Sequence, residues 1–112
     1  DIFLFFSYID ACPNTVIEAL ATRLPILCTN LGGTKELVEL TNGGIVVNAD
    51  KPICLLKVNM LKLPKPNYKV IIQGIKKIVK LKNKISSEMN LNKIDINFVS
   101  KKYHRFIKNI KT

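Results

Sequence analysis

Two acidic side chains lie on either side of a predicted helix start near the beginning of the sequence. Asp10 and Glu18 are eight positions apart, and Pro13 and Asn14 lie between them. Proline suits the first turn of a helix, where the N–H group that it lacks would have no helical partner. The N–H groups of a helix start favour an anion such as a diphosphate, and a carboxylate is a strong acceptor for hydroxyl groups. The stretch could therefore bind a ligand that carries both phosphates and hydroxyls.

A second loop of this kind follows later in the chain. Gly32 and Gly33 come after the apolar run PILCT (25–29) and lead into KELVEL, which has the apolar spacing of a short helix. In open α/β sheets, ligands bind at the carboxyl ends of the strands, where both loops are expected to lie. Two helix starts for phosphates and two acids for hydroxyls would suit a nucleotide sugar. The glycine pair is also compatible with a simple tight turn.

The elements that would position these loops alternate along the chain. Apolar runs of strand length occupy residues 2–6, 25–29 and 45–47, and apolar residues at helical spacing follow Pro13 and Gly33. Strands without alternation of polar and apolar residues are typical of a parallel sheet that is covered by helices. The order strand, helix, strand, helix, strand predicts an α/β fold with a partial Rossmann-like, doubly wound parallel sheet.

The second half of the chain is predicted to be mainly helical. We expect a short helix at 52–60, then a loop, then an amphipathic helix at 69–82. The apolar face of that helix would carry Ile71, Ile75 and Ile78. The last helix would begin after Asp95 or Asn97 as its N-cap. Its apolar positions are Val99, Tyr103, Phe106, Ile107 and Ile110.

Three short strands make a thin sheet, and the apolar first strand would leave an exposed edge. The sequence also begins with Asp1 rather than with methionine. Natural proteins usually cover such an edge, so we expect further strands upstream. Residues 1–112 are accordingly interpreted as the C-terminal part of a larger domain.

Charge is distributed unevenly along the chain. Residues 1–50 hold two basic and six acidic side chains, whereas residues 51–112 hold sixteen basic and two acidic ones. A basic surface of this kind can bind nucleic acid or an anionic membrane. The bases are nearly all lysines, however, and arginine is the better residue for bidentate phosphate recognition. Solvated helix faces and a functional basic patch are both retained as interpretations.

The cysteines and the apolar runs exclude some classes of protein. Cys12, Cys28 and Cys54 are an odd number without the spacing of metal ligands, which favours buried free thiols in a reducing cytosol. Cys12 has no obvious base nearby in the sequence and is interpreted as a small spacer. No uncharged apolar run is long enough to span a bilayer, and the opening IFLFFSYI does not have the form of a signal peptide.

The first fifty residues resemble a known family in the order of their motifs. Ser7 follows a strand; then come an acid, seven residues and a Glu with Ala-x-Ala behind it, and finally a proline, an apolar strand and Gly-Gly-x-x-Glu. This set is similar to the donor-binding core of the retaining, GT-B-fold glycosyltransferases of the group 1 type (family four). Two positions depart from the family pattern: Asp10 replaces the usual Glu, and Arg23-Leu24 stand where a Gly-x pair is common. The last helix resembles the family's terminal helix, which in full enzymes crosses back toward the N-terminal domain.

Carried over by position, the resemblance implies roles for individual residues. Asp10 would be the catalytic residue that hydrogen-bonds the transferred sugar, and Glu18 would hold the ribose hydroxyls. The other donor-binding residues would be Ala11, Cys12, Pro13, Asn14, Gly32 and Gly33. The resemblance implies no metal and no cofactor, with a nucleotide-diphosphate sugar as the donor substrate. Taken without the resemblance, Asp10 could equally cap the turn before the helix.

The resemblance implies a glycosyltransferase of polysaccharide or glycoconjugate biosynthesis, with a glycan or lipid-linked acceptor. Residues 1–50 would form the donor-site core, and residues 51–112 a Lys-rich helical portion of the same nucleotide-sugar-binding domain. The chain is expected to be incomplete and inactive alone, and to act in the cytoplasm or at the inner membrane face, with no nucleic acid partner. The alternatives are another GT-B-fold enzyme, such as a sugar-nucleotide epimerase, and a Lys-rich binding module for nucleic acid or anionic lipid.

Overall fold

A computed structural model describes residues 1–7, 10–48 and 65–110. The elements in chain order are β1 (Phe3–Phe5), α1 (Asn14–Ala21), β2 (Ile26–Thr29), α2 (Thr34–Thr41), β3 (Gly44–Val47), α3 (Tyr68–Glu88), a 3-10 turn (Leu91–Ile94) and α4 (Ile96–Ile110). The strands form a parallel sheet in the order β1-β2-β3. The predicted α/β fold with C-terminal helices is therefore confirmed. The helix expected at 52–60 lies outside the described residues.

The central strand β2 explains why the strand sequences lack alternation. Ile26 and Cys28 pack into one apolar cluster with residues of α1 and α2, and Leu27 packs into a second cluster with α3. All four residues of β2 are buried, because helices cover both faces of the sheet there. The outer strands β1 and β3 carry similar residues but are mostly only half-buried. The apolar run therefore reports burial on two faces only for β2.

Helix α3 packs closely on the sheet. A Cβ atom on Gly74 would lie 2.7 Å from Val47 Cγ1 and 3.0 Å from Leu27 Cδ1, so a glycine allows this approach. Ile71 and Ile78 are buried on the same side, as the helical spacing predicted. The predicted lysine face is also found, because Lys76, Lys77 and Lys80 are all exposed.

The same helix continues to Glu88, six residues beyond the predicted end at position 82. Its last turns are held by Arg23, whose Nη1 donates to the carbonyls of Ser86 at 3.1 Å and Met89 at 3.2 Å. Ser86 Oγ in turn donates to the Arg23 carbonyl at 2.9 Å. A cation at a helix C-terminus is favoured by the helix dipole. These contacts join residues more than sixty positions apart, which local spacing could not reveal.

Arg23 adopts a left-handed backbone conformation, with φ of 58°. The end of α1 at Ala21 requires this reversal, because Leu24 and Pro25 must lead directly into β2. Glycine adopts such a φ without steric cost, which explains why a glycine suits this position in the family pattern. Here the arginine occupies it and gains two hydrogen bonds in exchange.

Helix α4 begins at a side-chain cap. Asp95 Oδ1 accepts hydrogen bonds from the amides of Asn97 at 2.8 Å and Phe98 at 3.1 Å, so the predicted cap is confirmed as Asp95. No residue of α4 is buried, and the helix packs mainly against the 3-10 turn. Among the helices that the described residues form, none is both long and apolar enough to cross a membrane.

We predict that Arg23→Ala lowers the free energy of unfolding by about 1–2 kcal/mol, because two hydrogen bonds with a charged donor are lost. Urea-induced unfolding followed by circular dichroism measures this change. Arg23→Gly is the control, since it removes the same hydrogen bonds but relieves the left-handed strain, and it should be less destabilising by about 1 kcal/mol. Unchanged stability of the alanine variant would show that the side chain does not hold α3.

Candidate functional site

The loops that follow β1 and β2 are in direct contact. The amide of Gly33 donates to the carbonyl of Asp10 at an N···O distance of 2.6 Å. Asp10 lies beyond the carboxyl end of β1, and Gly33 lies beyond the carboxyl end of β2. The structure therefore brings the Asp10 loop and the glycine pair together at one edge of the sheet, where ligands bind in open α/β folds.

Both glycines are required by this contact. A Cβ atom on Gly33 would lie 1.7 Å from the carbonyl oxygen of Ala11, which no side chain can tolerate without moving the backbone. Gly32 has φ of +69°, and its Cβ would lie 2.9 Å from the carbonyl oxygen of Asp10. The pair is thus more than a tight turn, because it allows two backbone segments to touch.

Two helices begin at this edge. The N-cap of α1 is Pro13 and that of α2 is Gly33, and neither provides a side-chain hydrogen bond to its helix. Asp10 is therefore not the N-cap of α1, so that alternative is not found. The positive ends of both helix dipoles lie beside the contact between the loops, where an anionic group would be stabilised.

The two acids differ in their surroundings. Asp10 is half-buried beside the glycine pair, whereas Glu18 is exposed on α1. The sequence alone made burial of Glu18 among apolar neighbours a concern, but exposure removes that desolvation cost. Its position in the helix therefore does not by itself demand a ligand. Among the predicted loop residues, Ala11, Cys12 and Asn14 are also exposed, whereas Pro13 is buried.

A shallow depression of about 400 Å³ lies beside Gly32 along α2. It includes Lys35 and Glu39, whose charged groups are 3.9 Å apart, together with Glu36. None of these three was predicted as a site residue, although Lys35 stands only two positions after Gly33 in the sequence. A cation so close to a helix start is the signal that would have drawn attention to it.

Asp10 and Glu18 are not among the residues that line this depression. The described residues thus form one open side of a site rather than an enclosed pocket. In the part of the chain that the structure describes, no group of three His, Cys, Asp or Glu side chains is arranged to hold a metal ion.

The described cysteines are in different environments. Cys28 is buried in β2, and burial together with the negative charge of Glu39 raises the pKa of its thiol to about 12. Cys12 is exposed in the loop before α1. The prediction of buried thiols is therefore correct for Cys28 and wrong for Cys12, which lies in a loop that no helix covers. Cys54 lies outside the described residues.

Comparison with known proteins gives two matches. The family model described as "Glycosyl transferases group 1" matches residues 1–63 of this chain. The chain is also similar to the putative teichuronic acid biosynthesis glycosyltransferase TuaC of Bacillus subtilis (strain 168), with 49% identity over 37 residues. That stretch is 33% of this chain and 10% of TuaC, so the match spans only a small part of the relative. No solved structure gives a significant match.

We predict that thiol alkylation separates the two described cysteines in the folded protein. At about pH 8, iodoacetamide should modify Cys12, because it is exposed, and leave Cys28 unmodified. A pKa of about 12 instead of 9.0 lowers the thiolate population of Cys28 about a thousandfold. Peptide mass spectrometry measures each site. Equal modification rates in the folded protein would contradict the burial of Cys28.

The same thiol should make stability depend on pH. The unfolded Cys28 thiol ionises near pH 9.0 and the folded one near 12, so the unfolded state loses its proton first as pH rises. The neutral buried thiol therefore contributes stability that is complete below pH 9.0 and is lost toward pH 12. Urea midpoints between about pH 8 and pH 11 should fall more steeply for the wild type than for Cys28→Ala. Parallel curves would contradict this assignment.

Proposed function

The chain belongs to the group 1 glycosyltransferases, and from this premise we propose that residues 1–50 form the donor-binding core of a sugar-transferring enzyme. The donor would be a nucleotide-diphosphate sugar, and the acceptor a glycan or a lipid-linked glycan in polysaccharide or glycoconjugate biosynthesis. The full enzyme would act in the cytoplasm or at the inner face of the membrane. The match to a protein named for teichuronic acid biosynthesis is consistent with this acceptor class.

The observation that carries the proposal is the backbone contact between Asp10 and Gly33. It places an acid and two helix starts at the same edge of a parallel sheet. The helix starts would stabilise the negative charge that develops on the leaving diphosphate. The acid would accept hydrogen bonds from sugar hydroxyls, and charged acceptors make the stronger hydrogen bonds. A nucleotide-diphosphate sugar offers both groups in one ligand.

Each predicted residue has a distinct part in this proposal. Asp10 binds the transferred sugar, and its half-buried position beside the glycine pair limits the directions in which its short side chain can reach. Glu18, one helix turn further along α1, binds the ribose hydroxyls. The backbone of the intervening loop and of the glycine pair approaches the diphosphate. No residue in this set requires a metal.

We also propose that residues 1–112 do not catalyse transfer by themselves. The described residues offer one open side of a site, with a shallow depression rather than a cavity that could exclude water. Desolvation and positioning of an acceptor need a second wall. That wall would come from an acceptor-binding part of the protein, which would also separate a transferase from an epimerase with the same donor site.

The second candidate function is a Lys-rich binding module, which the basic second half of the chain supports. Lysines of α3 such as Lys76, Lys77 and Lys80 are exposed and could meet a polyanion. Such binding would weaken steeply with salt and would not depend on Asp10 or Glu18. The family membership concerns residues 1–63 and so favours the donor site as the principal function.

We predict that Glu18→Ala in the full-length protein weakens binding of the cognate nucleoside diphosphate at least about tenfold, because hydrogen bonds to a charged acceptor are lost. Isothermal titration with UDP, GDP and ADP identifies the base and measures the affinity. Glu88→Ala is the matched control, since Glu88 is an exposed helical acid near the opposite end of the sheet. Full nucleotide affinity in the Glu18 variant would remove Glu18 from the site.

We predict a different result for the glycine pair. Gly33→Ala and Gly44→Ala each place a Cβ against a backbone carbonyl, at 1.7 Å from Ala11 and 1.9 Å from Ile26. Both variants should lose thermal stability, but only Gly33→Ala should also weaken nucleoside diphosphate binding, by about tenfold or more at temperatures where it is folded. Gly44 begins β3 at the other end of the sheet. Equal losses of affinity in both variants would indicate general destabilisation instead.

A further inference from the structure

Helix α4 presents an apolar stripe to solvent. The stripe consists of Ile96, Tyr103, Phe106, Ile107 and Ile110, which recur at helical spacing on one side of the helix. Their exposed fractions lie between 53% and 75%, so nothing in the described residues covers them. Single exposed apolar side chains are common, but a contiguous set of five on one helix face indicates an interaction surface.

The rest of α4 is basic. Its charged residues are Lys101, Lys102, Arg105 and Lys108, and the helix contains no acidic residue. The exposed lysines of other helices include paired ones, as in the Lys35–Glu39 contact of α2 at 3.9 Å. Within α4, Lys101 and Arg105 instead stand four positions apart with like charge, which disfavours the helix. An anionic partner would remove this repulsion.

A groove connects the stripe to the body of the fold. It has a volume of about 720 Å³ and lies between α4 and Leu40 of α2. Phe98, Val99, Tyr103 and Phe106 line it, together with Lys93 and Lys102. The Lys93 ammonium lies 5.6 Å from the centre of the Phe98 ring. Lysines beside apolar surface can keep their charged ends in an interfacial layer while their stems contact apolar groups.

We propose that α4 binds the surface of an anionic membrane, lying parallel to it with the stripe inserted at the boundary of the acyl chains. A helix with a basic face and an aromatic and aliphatic face is the form that interfacial helices take. At 15 residues the helix is about 22 Å long, enough to lie in the interface and too short to cross the bilayer. This surface is separate from the donor site and does not depend on it.

The charge and the stripe together favour a membrane over the other partners. Nucleic acid would engage the lysines but would leave Ile96, Ile107 and Ile110 in water. Another part of the same polypeptide, such as a domain toward which the terminal helix crosses, would cover the stripe but would have no need of anionic lipid. Only an anionic membrane uses both faces of α4.

The test is co-sedimentation of the full-length protein with vesicles. Binding should be at least about tenfold stronger to phosphatidylcholine vesicles containing about one third phosphatidylglycerol than to phosphatidylcholine alone. Replacing Phe106 and Ile107 together by serine should weaken that binding about a hundredfold. Ile72→Ser on α3 is the control, because Ile72 is an equally exposed apolar residue outside the stripe. Neither variant should unfold the protein, because neither removes a buried side chain.

A second pair of variants tests the charge. Lys93→Gln with Lys102→Gln, beside the stripe, should weaken vesicle binding about tenfold or more, whereas Lys76→Gln with Lys77→Gln on α3 should change it little. Binding to polyuridylic acid and nucleoside diphosphates should not change in the serine variant.

Three results would overturn the proposal. The first is vesicle binding that does not respond to loss of Phe106 and Ile107. The second is equal binding to neutral and anionic vesicles. The third is no vesicle binding, which would indicate that another part of the polypeptide covers the stripe. None of these results affects the donor site, which the nucleotide titrations measure separately.

Discussion

The hydrogen bond from the Gly33 amide to the Asp10 carbonyl sets the geometry of the candidate site. It is short, and it forms between two backbone segments that only glycines allow to approach. The loops lead directly into α1 and α2, so the contact also sets where both helices begin. An alanine at Gly33 would have to move the Ala11 backbone, and with it the start of α1. The relation between the acid and the two helix dipoles therefore depends on a main-chain contact rather than on a side chain.

The sheet supports this contact from below. Strand β2 is buried on both faces, and its two clusters hold α1 and α2 on one side and α3 on the other. Gly74 lets α3 approach the sheet closely. At the opposite end, Arg23 joins the turn after α1 to the last turns of α3. Rigid elements at both ends of β2 leave the loops after β1 and β2 as the exposed, chemically accessible edge.

The two halves of the chain contribute different functions in this view. The first half provides family motifs, exposed acids and helix starts at a sheet edge. The second half provides a helix that packs on the sheet and another, α4, that packs on little of it. Positive charge in the second half is therefore not one property. On α3 it forms the solvated side of a packed helix, whereas on α4 it accompanies an apolar stripe that the described residues do not bury.

The sequence by itself determined the element order, the α/β class and the family, because burial on two faces and helical spacing are written into short segments. It also predicted the cap at Asp95 and the apolar face of α3 correctly. Tertiary structure alone decided the length of α3, since Arg23 contacts Ser86 and Met89 across more than sixty residues. It likewise decided that Cys12 and Glu18 are exposed. The physical reason is the same in each case: local spacing records which residues seek burial, but only packing decides which segments meet and which sides stay open to solvent.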